Sequence, residues 1–160
     1  MRALSSMLCL FGLLFGTAAH ADQVPSSPLI GEWSIDLERL PMPAEARPKS
    51  VRIVFAEGED GAMNTRVEVV YGEDQRMSAV ATTRLDGTPA PVTGSLEADE
   101  TATTLPAPNV LVMQLARGGV PASTRVFTVS ADGGTMTETV AYVGADGHPL
   151  MRTHHFTRVR

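Results

Sequence analysis

Cysteine is nearly absent from this chain. Its one copy, Cys9, lies in an N-terminal apolar run. The sequence beyond that run has no thiol, which excludes a disulfide framework, a cysteine nucleophile and a thiolate metal site there. A lipobox at Ser6-Met7-Leu8-Cys9 does not fit, because the apolar run mostly follows Cys9 instead of preceding it. Large side chains are scarce as well, with one tryptophan, two tyrosines and five phenylalanines. Basic runs are lacking, and the formal net charge is −5. Nucleic acid needs a cationic face, so that class of partner is excluded, and nothing suggests a patch for lipid headgroups. No Gly-x-Ser-x-Gly elbow marks a serine hydrolase, and no helix-turn-helix pattern marks a DNA-binding regulator.

What is present begins with an address. Met1-Arg2 is a short basic start, Leu4 to Gly16 is apolar apart from Ser5 and Ser6, and Ala19-His20-Ala21 offers small residues where a signal peptidase reads. This pattern predicts a secretory leader over residues 1–21, cleaved after Ala21, and hence a periplasmic or secreted protein. The run is too short to anchor in a bilayer, so no membrane insertion is expected after cleavage. Loss of Arg2 with the leader takes the formal charge from −5 to −6. Residues 22–28 hold two prolines and two serines and read as a flexible lead-in. Residues 29–160 are of a size for a single domain with one core.

Within that domain apolar residues recur at every second position. Val51, Ile53 and Phe55 share a face; so do Val67, Val69 and Tyr71, and Met77, Ala79, Ala81, Thr83 and Leu85. Side chains of a strand alternate between two faces, so this period predicts strands half-buried on a sheet. Strands are likewise expected over 109–116, 123–130, 135–143 and 150–159, while 99–104 reads as a short strand followed by a loop at Leu105-Pro106-Ala107-Pro108. Prolines between 41 and 48 predict another loop. Asp60-Gly61, Asp86-Gly87, Asp132-Gly133 and Asp146-Gly147 fall between the alternating runs, and Gly118-Gly119 ends another. Such pairs suit tight turns between antiparallel strands. The expected fold is all-β, with about eight to ten short strands and no substantial helix, and closure into an antiparallel up-and-down barrel would remove exposed edges.

Gly31-Glu32-Trp33 opens the first strand, and Arg158 ends the last. A Gly-x-Trp in that place resembles the lipocalin, or calycin, signature. The wider pattern is similar to a family of small secreted bacterial lipocalin-like proteins. It comprises Gly31-Glu32-Trp33-Ser34-Ile35-Asp36, Lys49-Ser50-Val51, the stretch 85–94 from Leu85-Asp86-Gly87 to Gly94, and the stretch 126–137 around Asp132-Gly133-Gly134. The resemblance spans nearly all of residues 29–160. It implies a barrel whose closed end is plugged by Trp33, with Arg158 stacked across the indole for a gain of roughly 0.5–2 kcal/mol. It implies fold and no particular chemistry. The lysine usual after the Asp-Gly turn is replaced here by Gly134.

Candidate chemistry is sparse, and no catalytic residue, metal site or cofactor is assigned. His154 and His155 are adjacent on a strand, so their rings should project to opposite faces and not grip one ion. Each Asp-Gly turn offers one aspartate where a calcium loop needs several carboxylates. Glu138 shares a face with Met136, Val140 and Tyr142. Facing inward, it would need a partner such as Arg125 or Arg152, and would anchor a ligand head group or act as a general acid/base. Threonines crowd both faces of that strand and favour the outward orientation, with Glu138 solvated.

Small residues at Ala79, Ala81 and Thr83 would leave room inside a barrel of this size. The competing arrangement is a collapsed barrel with methionines filling the gaps. The leading expectation is non-catalytic binding of a small apolar or amphipathic ligand. Its site residues would be Val67, Val69, Tyr71, Ala79 and Phe127 along the pocket, and Trp33 and Arg158 at its closed end. A structural or protein-interaction module of the cell envelope is the alternative, and an enzyme of calycin-like fold is the third.

Overall fold

The computed structural model describes residues 26–160. The expected leader, its cleavage point and most of the 22–28 lead-in lie outside those residues. The alternating segments become ten strands: β1 (Gly31–Ile35), β2 (Ser50–Glu57), β3 (Met63–Val70), β4 (Arg76–Thr83), β5 (Ala90–Thr93), β6 (Glu100–Ala107), β7 (Val110–Arg117), β8 (Val120–Val129), β9 (Thr135–Val143) and β10 (Pro149–Arg158). Each pairs antiparallel with its neighbours in sequence, and β1 pairs with β10, so the sheet is a closed up-and-down barrel. Closure satisfies the row of backbone groups that an edge strand would leave open.

Register converts the alternation into an inside and an outside. Ile53 lies opposite Val67 and Phe55 opposite Thr65 across β2 and β3; Val67 in turn faces Ala79 on β4. Ile53 and Phe55, with Leu111, Phe127, Val129, Met136 and Phe156, form the buried core, and Val67 is partly buried against it. Phe55 and Phe127 meet edge to face with ring centroids 5.4 Å apart, the arrangement that the ring quadrupoles favour. Outward positions carry charge, as where Arg52 of β2 meets Glu32 of β1 at 2.6 Å.

Two boundaries differ from the sequence expectation by three residues, both at prolines. The strand at 99–104 does not give way to a loop at Leu105: β6 continues through Pro106 to Ala107. Its pairing with β7 shifts between Thr104 and Ala107, and this irregularity accommodates a residue that has no N–H to donate. Likewise β8 begins at Val120, with Pro121 beside a second irregularity between Leu115 and Ala116. The proline-rich stretch 41–48 is part of the connection between β1 and β2, as expected; a single 3-10 turn at Leu37–Arg39 precedes it and another at Ala44–Ala46 lies within it.

Because successive strands run in opposite directions, the connections gather at two ends. The start of β1, the end of β10 and the β2–β3, β6–β7 and β8–β9 turns share one end, which is sealed. Trp33 there is 0 % exposed, and its Nε1 donates to the Leu29 carbonyl at 2.8 Å. The Arg158 guanidinium lies 4.2 Å from the indole centroid. Its Nε donates to Gly133 O at 2.7 Å, its Nη1 to Ile30 O at 2.8 Å, and its Nη2 to Pro28 O. Gly31 is required by this passage: a Cβ there would collide with Arg158 Nη1, and its φ is +138°. The opposite end receives the 37–49 connection, the β3–β4 turn, the 94–99 loop and the β7–β8 and β9–β10 turns, and it stays open.

Candidate functional site: an apolar chamber with one ionic corner

Above the Trp33 floor the inward residues of β3, β4 and β6 are small: Val67, Val69, Ala79, Ala81 and Thr101. They cannot meet side chains from the opposite wall, and a cavity of about 350 Å³ remains. Met77 and Met113 border it without filling it, so the barrel has not collapsed. Of the expected site residues, Val67, Val69, Ala79 and Phe127 line the wall. Tyr71 lies just beyond β3 at the mouth, where it is 53 % exposed. Trp33 and Arg158 lie beneath the chamber and close it.

One corner of the chamber is ionic. Glu138 points inward, and its side chain is only 3 % exposed. The outward, solvated orientation favoured by the surrounding threonines is therefore wrong. Position 138 is in phase with Met136 and Val140, both buried, while Thr135, Thr137 and Thr139 occupy the other face. The apolar partners on its own face were the better guide. A buried carboxylate needs donors on both oxygens, and it has them. Arg125 Nη1 donates to Oε1 at 2.8 Å, and His154 Nδ1 lies 2.8 Å from Oε2. Of the two arginines proposed from sequence, Arg125 makes this contact.

Burial pushes the Glu138 carboxyl toward protonation. The His154 hydrogen bond and the nearby Arg125 charge outweigh that effect and hold its pKa below the ordinary value. Burial likewise opposes charge on Arg125, but Glu138 and Glu97 reverse this and raise its pKa. The pair is ionised at neutral pH. Because the carboxylate accepts, His154 carries its proton on Nδ1, leaving Nε2 without a protein partner among the described residues. His154 also borders the chamber, and alternation puts His155 on the other face, as expected.

Sequence reading missed Glu97 and Ser123 in this corner. Glu97, on the 94–99 loop, forms an ion pair with Arg125 through Nη2 and accepts a hydrogen bond from the Ser123 hydroxyl. No strand periodicity marks a loop residue, and only the fold brings position 97 beside 123 and 125. Arg152 also borders the chamber, where its guanidinium lies 5.6 Å from the Tyr142 ring centroid. Among the described residues no three His, Cys, Asp or Glu side chains converge as metal ligands would.

The fold and site thus define a closed antiparallel up-and-down barrel around a largely apolar chamber with a single charged corner. No protein-family model matches the chain, and neither do curated proteins or solved structures.

Proposed function

We propose that this is an exported, lipocalin-like carrier that encloses one small amphipathic molecule in its barrel and performs no chemistry on it. The observation that carries the reading is the chamber itself. Its volume of about 350 Å³ falls in the range of small-molecule sites, and its apolar wall with few polar groups matches their usual make-up. Apolar walls would take the hydrocarbon part of a ligand, and the Arg125–Glu138–His154 corner would orient its head. Glu138 is a poor acid/base candidate: both its oxygens are engaged, and its pKa is held low.

The mouth also suits this role. Tyr71, Leu96, Val120, Val143, Leu150 and Met151 are exposed apolar residues of the turns and strand ends at the open end. An apolar rim eases passage of an apolar molecule from another surface into the barrel. The same rim favours a second reading, a module that captures a protein partner through its mouth. Crosslinking in cells would then recover one protein repeatedly.

Native mass spectrometry of protein purified gently from its own cells, with solvent extraction of whatever it carries, tests the carrier reading. The expected result is a one-to-one adduct that is weakened in Ala79→Phe, whose larger side chain takes up part of the chamber. Protein that is empty in both forms contradicts it.

A further inference from the structure

The ionic corner already shows what kind of group it holds, because a carboxylate is sitting in it. We propose that the Glu97 side chain is a resident stand-in for the ligand's own acid group, so that the ligand is a carboxylate-bearing amphiphile that seats by displacing Glu97. This rests on the carrier reading above and narrows it to one ligand class.

Two donors converge on Glu97, one for each oxygen. The Ser123 hydroxyl serves Oε1, and Arg125 Nη2 serves Oε2. That is a complete seat for one carboxylate at the edge of an apolar chamber. The two acids of the corner differ in how they are held. Glu138 belongs to β9, is almost wholly buried, and is fixed by Arg125 and His154. Glu97 belongs to a loop, and its side chain is 38 % exposed.

The loop backbone is nevertheless firm. Ser95 Oγ accepts from the amides of Glu97 and Ala98, each at 3.1 Å, and Ala98 is buried. Arg117 donates to the carbonyls of Ser95 at 3.1 Å and Glu97 at 3.3 Å, and Asp99 accepts from the Gly118 amide. The Glu97 carboxylate can therefore leave by rotation about its own side-chain bonds while the loop stays in place, which keeps the displacement local.

Charge selects the newcomer. With Glu97 turned out to water, Arg125 on the chamber wall and Arg152, exposed at its mouth, stand against Glu138 alone. Arg152 borders the cavity and has no carboxylate within ion-pair distance among the described residues. An incoming carboxylate restores the balance and recovers both vacated hydrogen bonds, which are of the strong, charge-assisted kind. An alcohol recovers them only in part, and an amine adds to the excess positive charge.

Calorimetric titration with decanoate, decanol and decylamine at neutral pH tests this, using the protein, Glu97→Ala and Glu97→Gln. The protein is expected to bind decanoate more tightly than the other two. A tenant that leaves its seat about a tenth of the time weakens the incoming acid about tenfold. Glu97→Ala should therefore tighten decanoate about tenfold and leave decanol unchanged. Glu97→Gln keeps the shape of the side chain and serves if the alanine variant does not fold; it should tighten decanoate less. Decanoate affinity that is unchanged or weaker in the foldable variants overturns the inference, as does preference for decylamine. Equal binding of decanol and decanoate, insensitive to residue 97, removes the inference and leaves the carrier standing. No binding of any of the three contradicts the carrier reading as well.

Discussion

Arg158 and Trp33 lock the two ends of the chain together, with the guanidinium 4.2 Å from the indole centroid and its nitrogens on the carbonyls of Pro28, Ile30 and Gly133. A cation–π contact gives up to about 2 kcal/mol when desolvated, and hydrogen bonds from a charged donor add to it. Arg158→Ala should cost about 3 kcal/mol of unfolding free energy, read by denaturant titration with Trp33 as the fluorophore. Arg158→Lys should rescue little, since an ammonium cannot reach three diverging carbonyls while stacking flat. A loss within a few tenths of a kcal/mol for the alanine variant would mean that the floor does not depend on this residue.

Gly31 adds a second test of the same floor. Its φ of +138° strains any other residue, and a Cβ would collide with Arg158 Nη1. Gly31→Ala should therefore cost about 2 kcal/mol or more. In an Arg158→Ala background the collision vanishes and only the backbone strain remains, so the cost should fall without reaching zero. Strict additivity of the two substitutions would show that they are independent.

The ionic corner makes stability depend on acid. The Glu138 pKa is lower in the folded protein than its ordinary 4.5. A carboxyl depressed in this way contributes stability that is fully present above about 4.5 and is lost as pH falls through the folded-state value. Glu138→Gln should be less stable by about 3 kcal/mol at neutral pH, since it leaves Arg125 without its buried partner. The gap between variant and parent should then narrow on acidification. A constant gap down to the acid transition would contradict the assignment.

Thr83 and Thr103 lie in the core with hydroxyls that find no partner. Valine has the same branched shape and no polar atom. Thr83→Val and Thr103→Val should each raise stability by about 1 kcal/mol, seen as a higher denaturant midpoint at unchanged slope. Destabilisation by either would show that its hydroxyl is hydrogen-bonded within the core.

Much of the barrel could be read from the chain because its cause is local. Alternation at Val51, Ile53 and Phe55, and at Thr135 through Val143, sets which faces are buried, and each Asp-Gly pair sets where a strand reverses. The prolines misled for an equally local reason. A missing N–H suggests a strand end, but a bulge at Pro106 satisfies it within β6. The ionic corner was only half legible. Arg125 and Glu138 are thirteen residues apart on adjacent strands and could be paired on paper. Glu97 reaches Arg125 across twenty-eight residues from a loop, and nothing in its own neighbourhood foretells that meeting.

The central claim is that the inside of the barrel receives a ligand, and methyl-resolved NMR during addition of decanoate reads this most directly. Shifts should concentrate on the inward methyls of Val67, Val69, Ala79 and Met113, and spare Val54 and Val126, which point outward from β2 and β8. Shifts confined to the outward methyls, or none at a saturating concentration, would contradict it.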